Sequence, residues 1–139
     1  MFMHYLFIEK EGEGAEDAPL LAWYNGGPGA SSLYGLFVEL GPLWLNDLSL
    51  QDPRFNATGV PQLVRNPYAW TKFANVLVVD SPPPVGFSYC SQYGPSGNGT
   101  SCGPWTDTDV FEANANFFVA WFKQFPSFQK NEFFMTGER

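Results

Sequence analysis

Residues 23–32 read WYNGGPGASS, and this stretch decides which fold the chain adopts. It overlaps a continuous apolar run at residues 19–24 (PLLAWY), which has the length and composition of a strand buried on both faces. The three Gly and one Pro in residues 25–29 cannot sustain a helix or a strand, so this segment is a turn. Gly residues at a strand end leave backbone N–H groups open to an anion or a developing oxyanion. Composition alone is equally compatible with a tight turn that binds no ligand.

Further strands are predicted on both sides of this turn. Residues 3–9, 73–80 (FANVLVVD) and 132–136 (EFFMT) are short, apolar and rich in aromatic or β-branched side chains. Residues 43–66 show no regular period and are expected to be irregular. The predicted strands are therefore separated by segments that are long enough to form helices.

Two helices are predicted between the strands. One begins at Ser31 or Ser32 and ends near Leu40, where a Gly-Pro pair follows. The other runs from Thr106 to about Phe125, with acidic residues in its first turn and a Pro directly after it. Alternating strands and helices predict an α/β fold with a partly parallel sheet.

Composition limits the classes of function. The 139 residues suit one domain, and a net charge of −7 with a pI near 4.4 argues against nucleic-acid binding. No apolar run is long enough to span a membrane. The single histidine, His4, is expected at the surface or at the edge of the first strand, and with two Cys it makes no zinc site. No metal and no cofactor are predicted.

Two cysteines and two glycosylation sequons point to the secretory route. Cys90 and Cys102 flank a loop that contains the sequon at Asn98, and a second sequon begins at Asn56. Two unpaired cytosolic thiols are the alternative. The first residues carry no signal peptide, from which we expect that the N-terminus is truncated.

Several motifs follow one another in a fixed order along the chain. Residues 20–42 contain a Trp-x-Asn-Gly-Gly-Pro-Gly turn and a Gly-Leu-Phe-x-Glu-Leu-Gly-Pro helix end. Further motifs lie at residues 66–70 (NPYAW), 74–82 (ANVLVVDSP), 85–89 (VGFSY), and 121–138. In this order they resemble the motifs of the serine carboxypeptidase family, the carboxypeptidase Y and cathepsin A group. The resemblance covers nearly the whole chain.

The resemblance implies a fold and a reaction. It implies that residues 1–139 form the first strands and helices of an α/β-hydrolase, as an incomplete domain truncated at both ends. The family removes C-terminal residues from peptides and proteins with a Ser-Asp-His triad, best at acidic pH. A parent protein in the vacuole, in the lysosome or outside the cell is expected. The oligomeric state stays open.

The resemblance also implies roles for individual residues. Gly27 would offer one backbone N–H of the oxyanion hole. Asn25, Gly26 and Glu138 would bind the terminal carboxylate of the substrate, and Glu39 would pair with Glu138. Glu138 can donate a hydrogen bond to a carboxylate only while it is protonated, so the activity is expected to fall as the pH rises.

One departure from the family pattern concerns catalysis. Arg139 stands where the family has its nucleophilic Ser, and no residue of this chain matches the Asp or the His of the triad. We therefore expect no hydrolysis by these 139 residues alone. A carboxypeptidase-like acyltransferase, which shares the scaffold, and a non-catalytic fragment or binding module are the alternatives.

Overall fold

The structure is a computed structural model that describes residues 1–91, 94 and 102–138. The sequon at Asn98 and the predicted nucleophile position at Arg139 lie outside the described residues.

Six strands and three α-helices make up the regular structure of the described residues. The strands are β1 (Tyr5–Ile8), β2 (Leu20–Tyr24), β3 (Leu43–Trp44), β4 (Val64–Arg65), β5 (Asn75–Val79) and β6 (Phe133–Gly137). The helices are α1 (Ser32–Gly35), α2 (Pro53–Thr58) and α3 (Asp107–Gln124). A π-helical turn at Leu36–Leu40 continues α1, and 3-10 turns lie at Asp47–Leu50, Trp70–Lys72 and Pro126–Lys130.

Four of the strands form one mixed sheet in the order β1-β5-β2-β6. Strand β2 runs parallel to both β5 and β6, whereas β1 runs antiparallel to β5. This arrangement confirms the predicted α/β class with a mixed, mostly parallel sheet. The three parallel strands end at the same edge of the sheet, where α/β proteins commonly bind their ligands.

The central strands β2 and β5 are buried on both faces, which explains their continuous apolar runs. On one face Leu77 and Val79 of β5 pack with Trp121 of α3. On the other face Val76 and Val78 pack with the helical segment that follows β2. Because side chains alternate along a strand, a strand covered on both faces is expected to be apolar at nearly every position.

The predicted helices form, with one difference in geometry. Thr106 caps α3, and its capping box with Asp109 is complete in both directions, at 3.2 and 2.9 Å. The helix predicted after β2 begins at Ser32 as expected, but it is α-helical only to Gly35 and then widens to a π-helical turn. That turn ends where the N–H of Gly41 donates to the carbonyl of Leu36.

The segment expected to be irregular contains more order than its sequence indicates. Strands β3 and β4 pair antiparallel as a separate two-stranded sheet, and α2 lies in the segment of chain that connects them. Asn66, fully buried after β4, donates from its side-chain amide to the carbonyls of Glu39 and Gly41. Two-residue strands are too short to show a period, so tertiary hydrogen bonds define them instead. Among the helices described, none is long and apolar enough to cross a bilayer.

Candidate functional site

Asn25 lies directly after β2 and is held by four hydrogen bonds. Its Oδ1 accepts from the Trp23 indole at 2.8 Å and from the Gly35 N–H at 2.9 Å. Its backbone N–H donates to Ser32 Oγ at 3.2 Å, and its Nδ2 donates to Glu138 Oε1 at 2.6 Å. Because two N–H donors face Oδ1, the amide group has one satisfactory orientation, and Nδ2 must face Glu138.

The strand register explains why two residues far apart in sequence meet here. Tyr24 at the end of β2 is opposite Gly137 at the end of β6, and the N–H of Glu138 donates to the Tyr24 carbonyl at 3.2 Å. Asn25 and Glu138 are thus equivalent positions on neighbouring parallel strands. A Cβ atom on Gly137 would lie 2.7 Å from the Tyr24 carbonyl oxygen, so this close approach requires glycine.

The Gly-rich turn presents backbone rather than side chains. Gly27 has a φ of +129°, and a Cβ atom there would lie 3.0 Å from the N of Gly29. The turn closes through the N–H of Ala30, which donates to the Gly26 carbonyl at 3.2 Å. In the part of the chain that the structure describes, no hydrogen bond uses the Gly27 N–H. This N–H can therefore serve a ligand, as an oxyanion donor must.

Asn25, Gly26, Gly27 and Glu138 line one open cleft of about 800 Å³. Strand β6, helix α3 and the segment before it supply further lining residues that the sequence did not predict. These residues include Trp105, Asp107, Val110, Phe111, Asn114 and Met135. The cleft combines polar groups at the strand ends with apolar side chains around them, as small-molecule and peptide sites commonly do.

Of the residues that the resemblance assigns to carboxylate and oxyanion binding, Glu39 does not line the cleft. Its side chain is exposed, and its carbonyl accepts hydrogen bonds from the Trp44 indole and the Asn66 amide. Within residues 1–91, 94 and 102–138, no hydrogen bond joins the Glu39 carboxyl to Glu138, whose carboxyl accepts from Asn25. The partner of Glu138 in this structure is Asn25.

Sequence reasoning missed the importance of Asp80, the residue that follows β5. Its carboxylate is 1% exposed and accepts four hydrogen bonds. Oδ1 accepts from Ser31 Oγ at 2.6 Å and from the Ser32 N–H at 3.0 Å. Oδ2 faces His4 Nδ1 at 3.0 Å and accepts from the Phe87 N–H at 3.2 Å. A buried carboxylate persists only where such donors satisfy it.

His4 was expected at the surface or at a sheet edge, and it lies just before the edge strand β1. Its side chain is 32% exposed, however, and it pairs with the buried Asp80 rather than with solvent. The antiparallel register of β1 and β5 causes this contact, because it places the start of β1 beside the end of β5. The one signal in the sequence was an Asp directly after a fully buried strand, since such an acid needs partners.

The remaining predicted site residues lie away from the cleft. Cys90 and Cys102 are joined by a disulfide, with their Cα atoms 5.2 Å apart. Asn56 is exposed within α2. Among the residues described, no cluster of three or more His, Cys, Asp or Glu side chains could hold a metal ion.

Tyr24 offers a pH-dependent test of how this region is packed. Burial raises the pKa of its phenol, whose O–H donates to Asn114 Oδ1 at 3.2 Å. A raised folded-state pKa means that this stability is fully present below the unfolded value, about 10, and is lost as the pH rises above it. We expect Tyr24→Phe to flatten the fall in unfolding free energy above about pH 10, a slope of at most about 1.4 kcal/mol per pH unit.

Urea unfolding at a series of alkaline pH values measures this effect. Tyr68→Phe is the control, because that side chain is 78% exposed. A Tyr24→Phe variant that kept the wild-type slope would show that burial of this phenol does not govern alkaline stability.

Comparisons with known proteins agree on one family. A family model described as "Serine carboxypeptidase" matches residues 1–139. The chain is 41% identical over 138 residues to "Serine carboxypeptidase-like 26" of Oryza sativa subsp. japonica, covering 98% of this chain and 25% of the relative. It is 38% identical over 135 residues to the "Lysosomal protective protein" of Mus musculus, covering 97% of this chain and 24% of the relative.

A solved structure gives the same answer at the level of the fold. The chain matches that of Kex1(delta)p, a prohormone-processing carboxypeptidase from Saccharomyces cerevisiae, with a TM-score of 0.71 and 27% sequence identity. The match covers 97% of this chain and 26% of that one. The chain thus spans about a quarter of the length of these proteins.

Proposed function

The chain belongs to the serine carboxypeptidase family, and from this premise we propose that its cleft binds the C-terminal carboxylate of peptides. Asn25, Gly26 and Glu138 are the groups that bind the carboxylate, and the Gly27 N–H is one oxyanion donor. The observation that carries the proposal is the 2.6 Å contact of Asn25 Nδ2 with Glu138 Oε1 at the edge of the cleft. It brings together an amide donor, a carboxyl group and the unused backbone N–H of the turn.

Charge in the cleft supports a pH-dependent mode of binding. A carboxylate ligand beside ionised Glu138 meets a like charge, whereas protonated Glu138 donates a hydrogen bond to it. Among the described residues, the lining of the cleft includes no Lys or Arg and carries a second carboxyl group, that of Asp107. The other donors to a carboxylate must therefore be neutral groups, such as backbone N–H groups, the Asn25 and Asn114 amides and the Ser81 hydroxyl. We therefore propose that the peptide binds better in acid than at neutral pH.

Hydrolysis by a triad is not proposed for these 139 residues. His4 is the only histidine of the sequence, and its Nδ1 is engaged with Asp80. The Ser31 hydroxyl donates to Asp80 and the Ser32 hydroxyl to the Val79 carbonyl, so neither hydroxyl is paired with a histidine base as a triad requires. The 139-residue chain is thus proposed to bind peptide C-termini without releasing the last residue. A parent enzyme with the family's triad would carry out the hydrolysis.

A substitution at Asn25 tests the carboxylate site. Asn25→Asp retains the oxygen that accepts from Trp23 and Gly35, but it replaces the donor beside Glu138 with a second carboxylate oxygen. We expect at least about tenfold weaker binding of N-acetyl-Phe-Leu, since a donor to a charged group is lost and a repulsion is added. Titration calorimetry near pH 5, with the C-terminal amide of the same peptide as the control ligand, measures the change.

A matched control distinguishes the loss of a direct contact with the ligand from the general effect of an added negative charge in the cleft. Asn114→Asp makes the same chemical change on the α3 wall of the same cleft, and it should weaken binding by less than about threefold. Equal losses in the two variants would mean that Asn25 does not contact the ligand. If the wild-type chain does not prefer the free acid over the amide, the proposed function is wrong.

A further inference from the structure

A chain of hydrogen bonds joins the buried Asp80 to the turn that carries Asn25. The Ser32 N–H donates to Asp80 Oδ1 at 3.0 Å, and Ser32 Oγ accepts from the Asn25 N–H at 3.2 Å. The same hydroxyl donates to the Val79 carbonyl at 2.6 Å. Ser32 therefore ties the first residue of the turn to the end of β5 with both its backbone and its side chain.

We propose that Ser32, anchored by Asp80, is a positioning residue that fixes Asn25 in the orientation needed to bind a carboxylate. This inference rests on the proposed function for its ligand, but its structural part, the fixing of the turn, does not. Ser32 does not line the cleft, so it acts only through Asn25. The 2.6 Å contact of Asn25 with Glu138 depends on where the Asn25 backbone lies, and Ser32 Oγ is the partner of that backbone N–H.

The anchor itself is unusually constrained. Gly86 approaches the Asp80 carboxylate so closely that a Cβ atom there would lie 2.1 Å from Oδ2. Its φ of +56° is also in the region that favours glycine. With donors on both oxygens and backbone against one of them, the carboxylate cannot rotate. A rigid anchor transmits its position to Ser32 and through it to the turn.

Ser88 provides a closely matched control. Ser32 and Ser88 are each 3% exposed. Each hydroxyl donates to one backbone carbonyl and accepts from one backbone N–H, and Ser88 Oγ does so with the Asp80 carbonyl and the His4 N–H, both at 2.7 Å. Ser88 belongs to the same hydrogen-bond network but lies on its β1 side, away from Asn25. The loss of either hydroxyl should lower stability by a similar amount.

The experiment compares Ser32→Ala with Ser88→Ala in the whole chain. We expect similar falls in melting temperature, but only Ser32→Ala should weaken binding of N-acetyl-Phe-Leu, by about fivefold, and speed amide exchange at Asn25 and Gly26. If both variants change binding and exchange equally, or neither does, Ser32 is only a structural residue and the inference is overturned.

A second variant, Ser31→Ala, and amide exchange without ligand test the same inference. Should Ser32→Ala not fold, Ser31→Ala takes its place, because its hydroxyl bonds to the same Asp80 oxygen and caps α1. A smaller loss of affinity, about twofold, is then expected, and an unchanged affinity would overturn the inference. Amide exchange needs no ligand. If the wild-type chain binds no peptide, the proposed function fails while faster exchange in Ser32→Ala still supports the positioning role.

Discussion

Asp80→Ala is expected to destabilise the chain by about 3–5 kcal/mol, because it breaks a buried hydrogen-bond network. The substitution leaves the Ser31 hydroxyl and the N–H groups of Ser32 and Phe87 without their acceptor. Each buried unsatisfied donor costs about 1–3 kcal/mol. Since small domains are stable by only about 5–15 kcal/mol, much of the variant should be unfolded at moderate temperature.

Urea unfolding followed by Trp fluorescence measures the loss. Asp17→Ala is the control, because Asp17 forms an ion pair with Lys130 at 2.5 Å but its side chain is 73% exposed. Solvent screens an exposed ion pair, so this variant should unfold near the wild-type midpoint. If Asp80→Ala cost no more than Asp17→Ala, the buried carboxylate would not hold the strand ends together.

Local sequence signals predicted most of the fold for a physical reason. The central strands β2 and β5 were visible because burial on both faces favours apolar residues at nearly every position. In β5 all five residues are buried and only Asn75 is polar. The start of α3 was visible because Thr106 and Asp109 cap it within four residues. The widening to a π-helical turn was not predictable, since its last N–H bond, from Gly41 to Leu36, depends on backbone geometry that composition does not encode.

In the candidate site, too, features set by neighbouring residues were predictable from the sequence, whereas contacts between distant residues were not. The Gly-rich turn was predicted from residues 25–29 alone, whereas the place of Glu138 came only from the resemblance to the family. Strand register brings Asn25 and Glu138 together, and register between parallel strands depends on the whole sheet. The contact of His4 with Asp80 likewise follows from the antiparallel register of β1 and β5. No pattern near His4 in the sequence indicates that contact.

Gly35→Ala is expected to destabilise the chain and to remove carboxylate binding together, although helix propensity predicts the opposite sign for stability. Alanine is favoured over glycine inside a helix by about 1 kcal/mol. A Cβ atom on Gly35, however, would lie 2.5 Å from Asn25 Oδ1 and 2.5 Å from Trp23 Nε1. Neither group can withdraw easily, because Trp23 is 6% exposed and Asn25 Oδ1 is held by two donors. Overpacking of this kind costs about 1–3 kcal/mol, so the clash outweighs the propensity.

The accompanying loss of binding distinguishes this clash from a general loss of stability. Displacement of the Asn25 amide moves Nδ2 away from Glu138, and N-acetyl-Phe-Leu should bind at least about tenfold more weakly. Gly59→Ala is the control, because Gly59 has a φ of +70° and nothing within 4 Å of its Cβ position. That variant should lose about 1 kcal/mol from backbone strain alone and should bind the peptide as the wild type does. A Gly35→Ala chain that melted higher than the wild type and still bound the peptide would mean that the turn can move away from the helix. In that case the tight packing of Trp23, Asn25 and Gly35 would not be what fixes the carboxylate site.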